Sequence, residues 1–156
     1  MAIRCNSDYF IVNFVVTFME KQILNIKVSW SGKNFCCSWS DDDAGTVVVT
    51  AKTLDKLKED FAESLKLHIE GCVADGDTLP QYLVNGDYEL TFDLDTAALL
   101  RDAETYTTMA ALSRACGINQ KQLSHYANGQ KQPREEQRKR IVHGLHIIGS
   151  RILALC

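Results

Sequence analysis

A chain of 156 residues, 46% hydrophobic and 24% charged, has the composition of an ordinary soluble globular protein, with room for one medium domain or two small ones. Its net charge of -3 conceals a division: residues 1–103 carry 9 Lys and Arg against 17 Asp and Glu, and residues 104–156 carry 8 against 3. A basic half beside an acidic half points to a nucleic-acid module joined to a domain that meets a basic partner, although an acidic excess is equally the mark of a solvated surface.

In chain order, the apolar run Phe10–Met19 is too short for a bilayer span and lacks the basic start and small-residue cleavage site of a signal peptide. A cytoplasmic protein with no membrane association is expected. Patterned sequence begins near Lys21, and Met19 is itself a possible start, so residues 1–20 read either as an N-terminal arm or as an upstream-start extension.

From Leu24 the chain alternates, with Leu24, Ile26, Val28 and Trp30 on one face and Asn25, Lys27 and Ser29 on the other, the pattern of a strand buried on one side. The turn Ser31–Asn34 leads to Phe35, Cys37 and Trp39 on a second strand, and the acidic loop Asp41, Asp42, Asp43 to a third strand over Thr46–Ala51. Thr53 caps a helix whose Leu54, Leu57, Phe61, Leu65 and Ile69 recur at steps of three and four, and Gly71 is expected to close it. After the polar, turn-rich stretch Val73–Gly86, Tyr88, Leu90, Phe92 and Leu94 alternate along a fourth strand. The expected fold class is therefore α+β, with a β-β-β-α-β domain over residues 21–94.

Residues 95–156 read as helical throughout. Ala97, Leu99 and Leu100 mark a first helix, Thr107 or Thr108 caps a second, Asn119 a third, and Pro133 stands in the first turn of a fourth. Between the second and third, LSRACGINQKQLSHYANG (Leu112–Gly129) has the spacing of a helix-turn-helix: small Ser113, a tight turn at Gly117, Ile118 and Leu123 facing inward. The third helix then offers Gln120, Lys121, Gln122, Ser124 and His125 to base edges in a major groove, with Thr108, Asn119, Lys131 and Arg134 placed for phosphates. An exposed polar helix in a small bundle is the competing reading.

Along the last helix Ile141, Leu145, Ile148, Ile152 and Leu155 form a stripe that fits a short dimer seam. Packing back on the chain's own helices explains the same stripe, and Gly144 and Gly149 interrupt it. Two-fold pairing would suit a palindromic operator.

No catalytic or metal site is expected. The cysteines at 5, 36, 37, 72, 116 and 156 form no Cys-x-x-Cys pair, so they read as reduced thiols. His68, His125, His143 and His146 have no partners at ligand spacing, and the first strand offers Asn25, Lys27 and Ser29 where metal-dependent nuclease chemistry needs carboxylates.

The Leu112–Gly129 segment resembles the Xre and lambda-repressor-like helix-turn-helix family, down to the NGQKQP tail, with Ser113 where that family usually has Ala and Ala127 where an acidic residue is common. Residues 21–156 as a whole resemble the HicB antitoxin family, on IKVSWSGKNFCCSW, TLDKLKEDFAESLKLHIEG and LPQYLVNGDYELTFDLD, with DDDAG in place of the more usual loop. The resemblance implies a partial RNase H-like domain ahead of the DNA-binding module. It implies an antitoxin that neutralises a small basic HicA-type mRNA-cleaving toxin and represses its own operon by binding double-stranded operator DNA. From the stripe on the last helix a homodimer or higher homo-oligomer is expected, and no cofactor is expected. Asp41, Asp42 and Asp43 are the toxin-contact candidates, with a solvated loop as the alternative. A free-standing repressor whose N-terminal domain senses a ligand or drives oligomerisation is the second functional reading.

Overall fold

A computed structural model describes residues 21–155. The expected arm over 1–20, with Cys5 and the Phe10–Met19 run, lies outside the described residues, as does Cys156. The described chain is mixed α+β: a four-stranded sheet followed by helices.

Strands β1 (Gln22–Trp30), β2 (Phe35–Asp41) and β3 (Gly45–Ala51) form an antiparallel meander. β4 (Tyr88–Leu94) returns to lie parallel to β1, giving the order β3-β2-β1-β4. Register places like with like, because Leu24 sits beside Leu90, Ile26 beside Phe92 and Val28 beside Leu94 or, on its other side, Cys37. These residues make up one face of the sheet, over which helix α1 (Leu54–Asp75) lays Leu57, Phe61 and Leu65, all fully buried. Each such side chain contributes roughly 1.5–3 kcal/mol relative to exposure. The opposite face, with Asn25, Lys27, Ser29, Ser38 and Thr50, stays exposed.

Two expectations for this half are corrected. α1 passes through Gly71 and ends at Asp75, where Gly76 takes the left-handed conformation at φ 84°. Its apolar register continues beyond Ile69 to Cys72, which packs on the same core, and an exposed glycine costs a helix only about 1 kcal/mol. The stretch Val73–Gly86 is also more than turns: α2 (Gln81–Asn85) buries Leu83 beside Leu79.

The remaining helices are α3 (Thr96–Ala103), α4 (Met109–Cys116), α5 (Gln120–Ala127) and α6 (Glu135–Leu153). Pro133 precedes α6 rather than opening it. Arg134 is the N-cap, with its backbone N–H donating to Gln137 Oε1 at 3.1 Å, and Glu135 and Glu136 occupy the first turn, where the helix dipole favours acids. A second core gathers Leu100, Leu112, Ile118, Leu123, Tyr126 and Ile141. α3 belongs to both cores, since Ala98 packs in the first and Leu100 in the second. From α6, Arg138 donates to the Leu94 carbonyl at 2.7 Å and to Thr96 Oγ1 at 3.0 Å, fastening the helices to the end of β4. Among the described residues no helix is long and apolar enough to cross a membrane.

Candidate nucleic-acid interface

Helices α4 and α5 are each begun by a side-chain cap. Thr108 Oγ1 accepts from Ala111 N at 3.1 Å, and Asn119 Oδ1 accepts from Lys121 N at 2.8 Å. Between them Gly117, at φ 66°, makes a turn that L side chains rarely adopt. Two contacts lock that turn. Ser113 Oγ donates to the Ile118 carbonyl at 2.7 Å, and the Arg140 guanidinium on α6 donates to the Cys116 carbonyl at 3.0 Å and the Gly117 carbonyl at 2.8 Å. Arg140 thus satisfies carbonyls that the end of α4 leaves open and places positive charge at the helix's negative pole. Ser113 thus has a specific task in this chain, tying α4 to the turn that follows it.

Leu112, Ile118, Leu123 and Ala127 lie buried between the two helices and α6, so the register of α5 is set from beneath. At 3.6 residues per turn, this leaves Lys121, Ser124, His125 and Asn128 along its outer face with Gln120 at its start. Gln120 and Lys121 are exposed, and Ser124 and His125 are half-buried.

Gln122 differs. It lies at the flank of that face, and its Nε2 donates to Tyr126 Oη at 2.5 Å, which in turn donates to Gln137 Oε1 at 2.8 Å. Its amide therefore helps brace α5 against the start of α6, while Lys121, Ser124 and His125 lie on the outer face and Gln120 stands exposed in the first turn. Among the flanking positions Thr108 and Asn119 have their side-chain oxygens engaged as caps, whereas Lys131 and Arg134 are exposed in and just after the α5–α6 loop. Lys121, Lys131 and Arg134 make no ion pair with a described residue, which leaves their charge available.

Tyr126, Gln137, Arg140 and Arg101 were not singled out from the sequence. A tyrosine four residues after Gln122 was the available signal for the polar brace. The arginines act through distant carbonyls, for which one-dimensional spacing carries no trace.

The apolar stripe on α6 divides along its length. Ile141 is fully buried in the second core, so it is not open to a partner and the seam reading is corrected there. Leu145 and Ile148 are partly buried against the same core, and Ile152 and Leu155 stand 51% and 87% exposed, the latter beyond the helix.

The acidic loop also divides. Asp41 Oδ1 accepts from the backbone N–H groups of Asp43 and Ala44, and Oδ2 accepts from the Tyr82 hydroxyl at 3.3 Å, so this carboxylate holds its own loop in shape. Burial first, then Asp41, raise the Tyr82 hydroxyl above its usual pKa. Asp42 and Asp43 are exposed. Across the loop His68 bonds the Ala44 carbonyl through Nε2 at 2.5 Å, tying it to α1. Among the described residues no group of three His, Cys, Asp or Glu side chains is placed to hold a metal ion.

Comparisons with protein-family models, with curated proteins and with solved structures find no match for the chain.

Proposed function

We propose that the chain is an antitoxin-type repressor, in which α4 and α5 form a DNA-reading helix-turn-helix and the sheet half holds a basic HicA-type toxin. The observation that carries this is the outer face of α5: Lys121, Ser124 and His125 lie together on a helix whose entry turn is locked by Ser113 and Arg140 and whose opposite face is buried, with Gln120 exposed in its first turn. Amide, ammonium and imidazole groups on a fixed helix are the chemistry that reads base edges. The positive balance of residues 104–156 supplies the attraction to phosphate. A meander followed by a helix and a strand beside β1 supports the partial RNase H-like reading of the sheet half. Its acidic balance supports a basic partner, with Asp42 and Asp43 as the exposed carboxylates of the β2–β3 loop. Pairing of two chains through the exposed end of α6 would match a two-fold operator.

Selection from a random duplex pool identifies the preferred site. Gln120→Ala and Lys121→Ala are expected to weaken binding to it by about 1–3 kcal/mol each while leaving the unfolding midpoint unchanged, because both side chains are exposed. Full-strength binding by both variants would remove α5 as the reading helix. Co-expression with the product of a neighbouring reading frame of basic composition tests the other half. Neither a complex nor relief of growth arrest would leave a repressor without a toxin.

A further inference from the structure

The carboxyl end of α5 is held by a residue outside the helix-turn-helix. Arg101, near the end of α3 and 26% exposed, donates from Nε to the Ala127 carbonyl at 3.1 Å and from Nη2 to Asn128 Oδ1, while Nη1 meets Glu104 at 2.8 Å. The same guanidinium lies 5.5 Å from the ring centre of Trp30, the last residue of β1. One planar group therefore touches the sheet, α3 and the end of α5 at once, which lysine, with a single point of charge, cannot reproduce.

Trp30 supports this assignment independently. Its indole N–H is buried without a hydrogen-bond partner among the described residues, a penalty that phenylalanine at the same place would avoid. Tryptophan is also the strongest ring partner for a cation, so its presence at that position is explained by the guanidinium it faces. Phe35 packs edge-on against the ring at 5.0 Å and keeps it in place.

We infer that Arg101 is a positioning residue for the DNA-reading surface: stacked on Trp30, it makes the sheet set the placement of α5 and of the loop that carries Lys131. The functional half of this inference rests on α5 being the reading helix; the mechanical half does not. Amide hydrogen exchange on the full-length protein alone tests the mechanical half. The N–H groups of Asn128 and Gln130 are bonded to the Ser124 and His125 carbonyls, so their exchange reports directly on the end of α5.

Arg101→Ala is expected to speed exchange at Asn128–Gln130 by at least about tenfold, the factor corresponding to loss of one of the two charge-assisted hydrogen bonds it makes there. Amides of β1 and α1 should keep their rates. Arg101→Lys retains the stem and the charge, so it folds, and it should show an intermediate acceleration; Trp30→Phe should show a smaller one. Unchanged exchange at Asn128–Gln130 in Arg101→Ala and Arg101→Lys, or equal acceleration in both cores, would overturn the assignment. On the selected duplex, Arg101→Ala should lower the ratio of specific to scrambled-site binding by a similar factor with the salt dependence unchanged. An altered salt slope with an unaltered ratio would make Arg101 a phosphate contact and overturn its positioning role. If the wild-type chain binds no duplex, the proposed function fails while the exchange result still decides the role of Arg101.

Discussion

At residue scale, two glycines of one helix have opposite meanings. A methyl added at Gly144 would stand 2.8 Å from Cys116 Cβ and 3.1 Å from the Cys116 backbone nitrogen, whereas among the described residues nothing lies within 4 Å of one added at Gly149. Gly144→Ala is therefore expected to destabilise the protein by about 1–3 kcal/mol through overpacking of α4 against α6. Gly149→Ala should stabilise it by about 0.5–1 kcal/mol through helix propensity. Denaturant unfolding of the two variants checks both signs. In the sequence these glycines look alike, as interruptions of a stripe, because the close approach of α4 is a fact of packing.

Two titrating groups add tests at the same scale. Burial first, then neighbouring Cys36, push the Cys37 thiol up to about 11 against a lowering backbone hydrogen bond. A thiol-specific disulfide reagent at mildly alkaline pH should therefore modify half-exposed Cys36 in the native protein and reach Cys37 only on unfolding. Asp102 has its carboxyl raised by burial and then by Asp55, with Lys58 opposing. The folded state thus holds that proton more tightly than the unfolded chain. Its contribution is complete below the unfolded value and is lost as pH rises through the folded one. Asp102→Asn should melt higher than wild type at neutral pH, a difference that closes in strong acid; a lower melting point at neutral pH would contradict the sign.

At the scale of elements, legibility followed periodicity. The four strands, α1 and the caps at Thr53, Thr108 and Asn119 stand where alternation, three-and-four spacing and cap chemistry placed them. The structure departs from the pattern where a local signal meets a tertiary one. Gly71 reads as a stop, yet Cys72 continues the buried register; Pro133 reads as a start, yet the Gln137 bond and two acids begin α6 later. The outer face of α5 is legible from its buried residues; the Gln122–Tyr126 bond has only its i,i+4 spacing as a trace, and the Tyr126–Gln137 bond has none, because Gln137 lies on another helix. Thr108→Ala should cost about 1 kcal/mol, the usual worth of an N-cap, and weaken α4 ahead of the sheet.

At the scale of the molecule, arginines connect what composition separates. Arg138 reaches from the basic half to the Leu94 carbonyl and Thr96 of the acidic half, and Asp93 lies 4.0 Å away. Arg138→Ala is expected to leave that carbonyl without this donor and to lower the cooperativity with which the two cores unfold, read as separation of a sheet signal from a helix signal in thermal melts. The charge division is plain in the sequence, whereas the sharing of α3 between the two cores is not, because Ala98 and Leu100 are two ordinary apolar residues on one short helix.

The parallel pairing of β1 with β4 has a consequence in time. Of the described strands β1 is the first to leave the ribosome, and it gains β4 as a neighbour only when Tyr88–Leu94 has been made, after the whole of α1 and α2. The later helices instead assemble from near neighbours in the chain. The sheet and the helices are thus expected to mature by different clocks, the sheet late relative to β1 and the helices soon after their synthesis.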